Sequence, residues 1–168
     1  MTSEIPALAA LERLDVPFEL IEIDPGFADT AAFLARYGFP AERSCNTLLV
    51  SSRKTPRRHA ACVVPATSRL DVNVRVRGIL GAGKLSFTDP EQTRALTGME
   101  LGAVTPFGLP ADLPVLVDAA LMQHDWVLLG GGERRFKLKL SPEVFPRLGA
   151  EIVTDLGLPR EPPPDAEG

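Results

Sequence analysis

Cysteine is scarce in this sequence. Only Cys45 and Cys62 occur, too few for a disulfide framework and at a spacing that matches no zinc or redox motif. Both read as small buried hydrophobes, kept reduced. Histidine is as rare. His59 and His124 are too few for a multi-histidine metal site, and Asp125 would point to the opposite face from His124 on a strand, so no dyad is expected there. There is no GxSxG nucleophile elbow, and Gly130-Gly131-Gly132 lacks the Lys-Ser or Lys-Thr of a phosphate-binding loop, which disfavours nucleotide hydrolysis. No metal and no cofactor is expected. No apolar run approaches the roughly 20 residues needed to cross a bilayer. The N-terminus, with Glu4 ahead of its first basic residue Arg13, lacks the pattern of a signal peptide. A cytoplasmic protein with no membrane role is expected.

What is present has the balance of a globular domain: 168 residues, 45% hydrophobic and 24% charged. The net charge of −4 would argue against a polyanionic partner, but the charge is unevenly spread. Residues 53 to 94 hold nine basic side chains against three acidic ones, a local charge of +6 that leaves −10 for the rest. Phosphate binding depends on local potential, so a basic face for nucleic acid and a merely solvated loop are both compatible with this pattern.

Ile5, Leu8, Leu11 and Leu14 recur at helical spacing, and Val16-Pro17 ends that helix. Phe18 to Asp24 alternates as a half-buried strand, and Pro25-Gly26 turns the chain. Asp29 is placed to cap a helix carrying Phe33, Leu34 and Tyr37 that Gly38 terminates. Thr47 to Val50 and Ala60 to Val64 read as a hairpin joined by a mobile basic loop, Ser51 to His59. Asp71 to Arg77 is ambiguous: Val72, Val74 and Val76 alternate like a strand, while Asp71 and Gly78 suit the ends of a helix, and periodicity alone favours strand. Asp89-Pro90-Glu91 starts a helix that Gly98 closes. Val115 to Val117, Trp126 to Leu129 and Phe136 to Leu140 read as strands, Ser141-Pro142-Glu143 opens a helix, and Ile152-Val153 suits an edge strand. This irregular interleaving predicts a mixed α/β (α+β) fold around a curved, barrel-like sheet flanked by helices. Residues 1–157 are expected to form one domain, and 158–168 a Pro-rich, acidic, disordered tail.

The unusual element is Thr97-Gly98 followed by Gly102-Ala103-Val104-Thr105-Pro106-Phe107-Gly108. Glycines let a loop approach a ligand with its amides exposed, and Pro106 and Pro110 limit its freedom. Such a loop can polarise a carbonyl without side-chain catalysts, and it can equally be a tight connection packed on the core.

With these residues the sequence resembles the YbaK and prolyl-tRNA synthetase insertion-domain family of aminoacyl-tRNA editing deacylases. The landmarks run in order: Asn46-Thr47-Leu48, Val64 through Arg69-Leu70-Asp71, Lys84-Leu85, Leu96-Thr97-Gly98, the GxxxP loop Gly102 to Pro106, Phe107-Gly108, Pro114 to Asp118, Gly130-Gly131 and Ser141-Pro142. The resemblance implies a domain that hydrolyses the ester between a small, wrong amino acid and the 3′ end of a tRNA, often the proline tRNA. It resolves residues 71–77 towards helix. It implies catalytic roles for Asn46, Gly102, Ala103, Val104, Thr105 and Pro106, and substrate contacts from Thr47, Pro65, Phe107, Gly108, Asp118, Gly130 and Gly131. Arg53, Lys54, Arg57, Arg58, Arg69 and Lys84 would meet tRNA phosphates, and prolyl-tRNA synthetase is a possible partner; oligomeric state is left open. Asn46 departs from the lysine that most of the family carry there, and no histidine follows His124, unlike the synthetase insertion domains. Three outcomes stay open: a different editing substrate, rescue by a cation such as Lys84 or Arg69, or a catalytically impaired tRNA-binding or regulatory homologue.

Overall fold

A computed structural model describes residues 5–54 and 57–160. Helix α1 (Pro6–Leu14) opens the fold with proline in its first turn and buries Ala7, Ala10 and Leu11. Strand β1 (Phe18–Glu22) and a short turn at Pro25–Phe27 lead to α2 (Thr30–Tyr37), which Gly38 ends at φ 74°. The expected hairpin is present as β2 (Cys45–Ser52) and β3 (His59–Pro65), with Cys45 opposite Pro65 and Ser51 opposite His59. The mobile loop expected between them falls partly on residues 55–56, which lie outside the described residues. Next come β4 (Ser68–Leu70), a helical segment, β5 (Leu85–Phe87) and α4 (Pro90–Thr97). Asp89 caps α4 by accepting from the Gln92 amide at 2.8 Å, and Gly98 closes it at φ 69°.

The ambiguous stretch is helical: a π-helical turn at Val72–Val76 runs into α3 (Arg77–Leu80). Val72 and Val76 are buried while Val74 is 74% exposed. That is the i, i+4 face of a helix, whereas a strand would put all three valines together. The second half of the chain supplies β6 (Val115–Asp118), β7 (Val127–Gly130), β8 (Phe136–Leu140), α5 (Val144–Leu148), β9 (Glu151–Val153) and β10 (Gly157–Pro159). Because β10 pairs with β4, the fold continues past the boundary expected at residue 157; Leu158 and Pro159 belong to it, and residues 161–168 lie outside the described residues.

The mixed α/β architecture is as expected; among the described residues the strands are divided among three sheets that do not close into a barrel. The largest runs β5-β2-β3-β6-β9, the second β1-β8-β7, and β10 pairs with β4. Strand β3 sits between β2 and β6 and is buried on both faces: Val63 joins the core under α1 and α5, while Cys62 and Val64 join the core beneath α3. This is why the run from Ala60 to Val64 is continuously apolar. A parallel bridge between Ser44 and Leu128 brings the start of β2 beside β7, which places Asn46 near Gly130. No helix among the described residues is long and apolar enough to cross a membrane.

Candidate active site

A cavity of about 330 Å³ opens where the first half of β2 meets the loop after α4. Asn46, Thr47, Leu48 and Leu49 of β2 line one side, and Leu101, Gly102 and Val104 line another. Gly130 at the end of β7, Lys137 on β8 and the start of α2 at Asp29 and Thr30 complete one end; Phe87, Thr88 and Thr93 lie opposite.

The 101–110 loop contains no helix or strand, and its geometry follows from its glycines. Gly102 has φ 83°, and a Cβ there would collide with the Arg134 guanidinium and the Asp29 carboxylate. The loop is stitched to the turn after β7: Ala103 N donates to Glu100 O at 3.1 Å, Glu100 N to Gly132 O at 3.1 Å, and Gly132 N to Ala103 O at 2.8 Å. One amide of the GxxxP segment, that of Ala103, is thus used internally. The amides of Gly102 and Val104, both lining residues, have no hydrogen-bond acceptor among the described residues. The Thr105 hydroxyl is buried with no partner there either.

At the start of α2 the side chains turn away from the helix. Asp29 occupies the capping position but makes no capping hydrogen bond; its Oδ1 instead meets Arg134 Nη1 at 3.2 Å. Arg134 also donates to Leu101 O at 2.7 Å and through Nε to Pro25 O at 3.1 Å, tying α2, the loop and the β7–β8 turn together at the rim. Thr30 donates its hydroxyl to Asn46 Oδ1 at 2.5 Å, which leaves the amide donors of Asn46 without a partner among the described residues.

Lys137 is the cation of this cavity, and sequence reasoning missed it. It is 7% exposed, its Nζ donates to Ala28 O at 2.7 Å, and it lies 5.1 Å from the centre of the Phe33 ring. Burial pulls its pKa from 10.5 to about 8, partly offset by the nearby Asp29 carboxylate and reinforced by Arg134. The cations that the sequence offered in place of a lysine at position 46 do not line the cavity: Arg69 lies on β4 and Lys84 is exposed before β5.

Of the residues expected in the site, Asn46, Thr47, Gly102, Val104 and Gly130 line the cavity. Ala103 and Thr105 are buried behind it, and Phe107 is a fully buried member of the core beneath α1. Pro106 and Gly108 line a different hollow, against Ala10 and Leu14, and a Cβ on Gly108 would come 2.8 Å from the Pro6 backbone. Pro65 ends β3 opposite Cys45. Asp118 is buried and occupied, accepting from Ala120 N at 3.0 Å and from Gly157 N at 2.8 Å. Gly131 makes room for the Phe136 ring. Arg53, Lys54, Arg57, Arg58 and Lys84 gather at the far end of the β2–β3 hairpin, where Arg53 N meets Lys84 O at 3.4 Å; Arg57 and Arg58 edge a second cavity of about 320 Å³. Arg69 stands apart from them.

Neither histidine lines the first cavity. His59 Nδ1 is 2.7 Å from Ser51 Oγ. Asp125 pairs with Arg43, not His124, and that guanidinium holds its carboxyl below the usual range. Both cysteines are buried free thiols; burial raises both, Cys62 to about 12.

The fold and site define a mixed α/β domain whose cavity is walled by a glycine-rich loop with amides that have no partner among the described residues. Residues 24–148 match the model of the aminoacyl-tRNA editing domain, and the chain belongs to that family. It is 33% identical over 117 residues to the proline–tRNA ligase of Nitratidesulfovibrio vulgaris, covering 69% of this chain and 18% of that protein. The proline–tRNA ligase of Pelobacter propionicus is 28% identical over 107 residues, 64% of this chain and again 18% of the ligase. The chain thus spans less than a fifth of the curated relatives it matches. Among solved structures, a protein proposed to be a trans-editing enzyme for prolyl tRNA synthetase superposes with a TM-score of 0.74 at 24% identity, covering 86% of this chain and 90% of that one. The hypothetical protein APE2540 superposes at 0.78 with 25% identity, covering 88% and 96%.

Proposed function

We propose that this chain hydrolyses the ester linking a small, wrongly attached amino acid to the 3′ end of a tRNA, acting in the cytoplasm as a separate editing enzyme. The proline tRNA is the first carrier to test, because both ligase relatives act on proline. The observation that carries the reading is the cavity itself: Asn46, Gly102, Val104 and Gly130 share it, and two of its lining residues keep unpaired amides. An aminoacyl ester is already activated, so the site has to place water and stabilise an oxyanion, which fixed amide donors do well. Water adds to the ester carbonyl, the C–O bond to the ribose breaks, and the water's proton leaves with the ribose oxygen. Asp29 at the rim offers a carboxylate to the α-ammonium group of the aminoacyl moiety. At about 330 Å³ the cavity lies at the low end of the roughly 300–1,000 Å³ typical of small-molecule sites, which suits selection by size. The basic hairpin end, Arg53 to Arg58 with Lys84, would draw in acceptor-stem phosphates with little base readout.

The test is a panel of tRNAs carrying small wrong amino acids. Clearance of at least one faster than in buffer is the expected result, and Gly102→Ala, whose methyl collides with Arg134, should slow it. No deacylation of any pair removes the enzyme reading. The rival reading, a tRNA-binding or regulatory homologue, is favoured by the neutral Asn46; salt-sensitive tRNA binding without hydrolysis is its signature.

A further inference from the structure

The three-stranded sheet contains a charge that folding alone does not explain. Lysine is almost never fully buried unless paired, and among the described residues no carboxylate lies within ion-pairing distance of Lys137. Lys139, two residues on along the same strand, shows the ordinary solution: it is more exposed, stacks 4.5 Å from the Trp126 ring and faces Glu19 at 3.9 Å. Lys137 spends one of its three N–H donors on Ala28 O. Its cross-strand neighbour on β7 is Gly130, which has no side chain to cover it, and both residues line the cavity. The same cavity holds Asn46 and the unpaired amides of Gly102 and Val104. Residues from three separate segments that each carry a spare donor therefore line one space, with Asp29 as the one carboxylate among the lining residues, and that carboxylate is engaged by Arg134.

We propose that the Lys137 ammonium contacts the acyl oxygen of the bound aminoacyl ester and strengthens its hold as that oxygen becomes an alkoxide. The inference rests on the deacylase reading above and assigns a catalytic residue to it. Lys137 stays protonated throughout; it donates a hydrogen bond, while the proton that moves travels from water to the ribose oxygen. Its lowered pKa of about 8 still leaves it charged at pH 7. Lys137 and Asn46 line the same cavity from different strands, so the charge enters from β8 instead of β2.

Two measurements test this. In single-turnover deacylation, Lys137→Met should lower kcat by about 10²- to 10³-fold with KM little changed, the size of losing one oxyanion donor. Adding Asn46→Lys to that variant should restore at least tenfold, since it returns an ammonium to the same cavity; a lysine serving only to hold Ala28 O would not be replaced from β2. Unchanged kcat in Lys137→Met, or no recovery in the double variant, overturns the proposal while leaving the deacylase reading intact. The second measurement needs no turnover. Binding of an adenosine 3′-(1-aminoethyl)phosphonate, whose tetrahedral phosphonyl group is anionic, is compared with its 3′-alanylamido counterpart, whose carbonyl is neutral and which carries the same α-ammonium. Wild type should prefer the anion at least tenfold and Lys137→Met should lose that preference. A wild type that deacylates nothing yet shows the preference refutes the enzyme reading and supports the cation; equal binding of both probes refutes the cation.

Discussion

Gly130→Ala is the sharpest perturbation of the loop that walls the cavity. Gly130 has an ordinary backbone conformation, so alanine adds no dihedral strain and the effect is steric alone. Its Cβ would lie 2.7 Å from Ala103 O, 2.9 Å from Ala103 C and 3.0 Å from Val104 O, all backbone atoms. Ordinary contact begins at 3.4 Å, so the loop must retreat by about 0.7 Å to admit the methyl. Overpacking of this kind costs about 1–3 kcal/mol, which in a chain of this size lowers Tm by about 2–12 °C. A misplacement approaching 1 Å can cost about 10²-fold in rate, so kcat/KM for the best mischarged tRNA should fall by about 10- to 100-fold. Single-turnover hydrolysis read beside a thermal melt separates the two effects. Gly83→Ala is the control, because nothing lies within 4 Å of a Cβ there. A Gly130→Ala protein with wild-type rate and wild-type Tm would refute the claim that the loop's position matters to the chemistry.

Asp118→Ala should destabilise by about 1–3 kcal/mol in denaturant unfolding, because it leaves the amides of Ala120 and Gly157 without their acceptor, yet leave substrate KM unchanged. Lys137 makes stability pH-dependent. Between about pH 8 and 10.5 the unfolded chain holds a proton that the folded chain has released, so stability rises with pH across that window; below it the buried charge costs the fold the full amount, about 3 kcal/mol. Denaturant unfolding at pH 7 and pH 10 should show this rise in wild type and its loss in Lys137→Met. Arg57→Gln with Arg58→Gln should weaken tRNA binding and flatten its dependence on log salt by roughly 0.7–0.9 for each phosphate no longer neutralised, whatever the tRNA sequence.

Helix ends and strand pairs were legible in the sequence because their signals are local: Asp89-Pro90 with Gly98 for α4, and the β-prone runs on either side of the basic loop for the hairpin. The valines of 72–76 misled periodicity, since alternation over five residues fits either a strand or a short helix with one valine exposed. The loop that walls the cavity stood out in the sequence by its glycines and prolines, but which of its residues line the cavity was not legible, because that depends on how Ala103 is stitched to Gly132. Asp118 entered the sequence reading only as a substrate contact implied by the resemblance, and in the fold it anchors β10. Lys137 was invisible for a different reason. In Phe136-Lys137-Leu138-Lys139-Leu140 the two lysines look alike as outward residues of a half-buried strand, and only the packing of α2 against β8 buries one of them beside the cavity.

In the function proposed above, the cavity between β2 and the 101–104 loop receives the aminoacyl end of a tRNA. Titrating the isotopically labelled protein with a hydrolysis-proof 3′-alanylamido adenosine and following backbone amide shifts tests it most directly. Saturable shifts are expected at Asn46, Thr47, Gly102 and Val104, with Gly78 and Gly83 silent. Shifts confined to the second cavity around Arg57 and Leu113, or no shifts at millimolar probe, would contradict it.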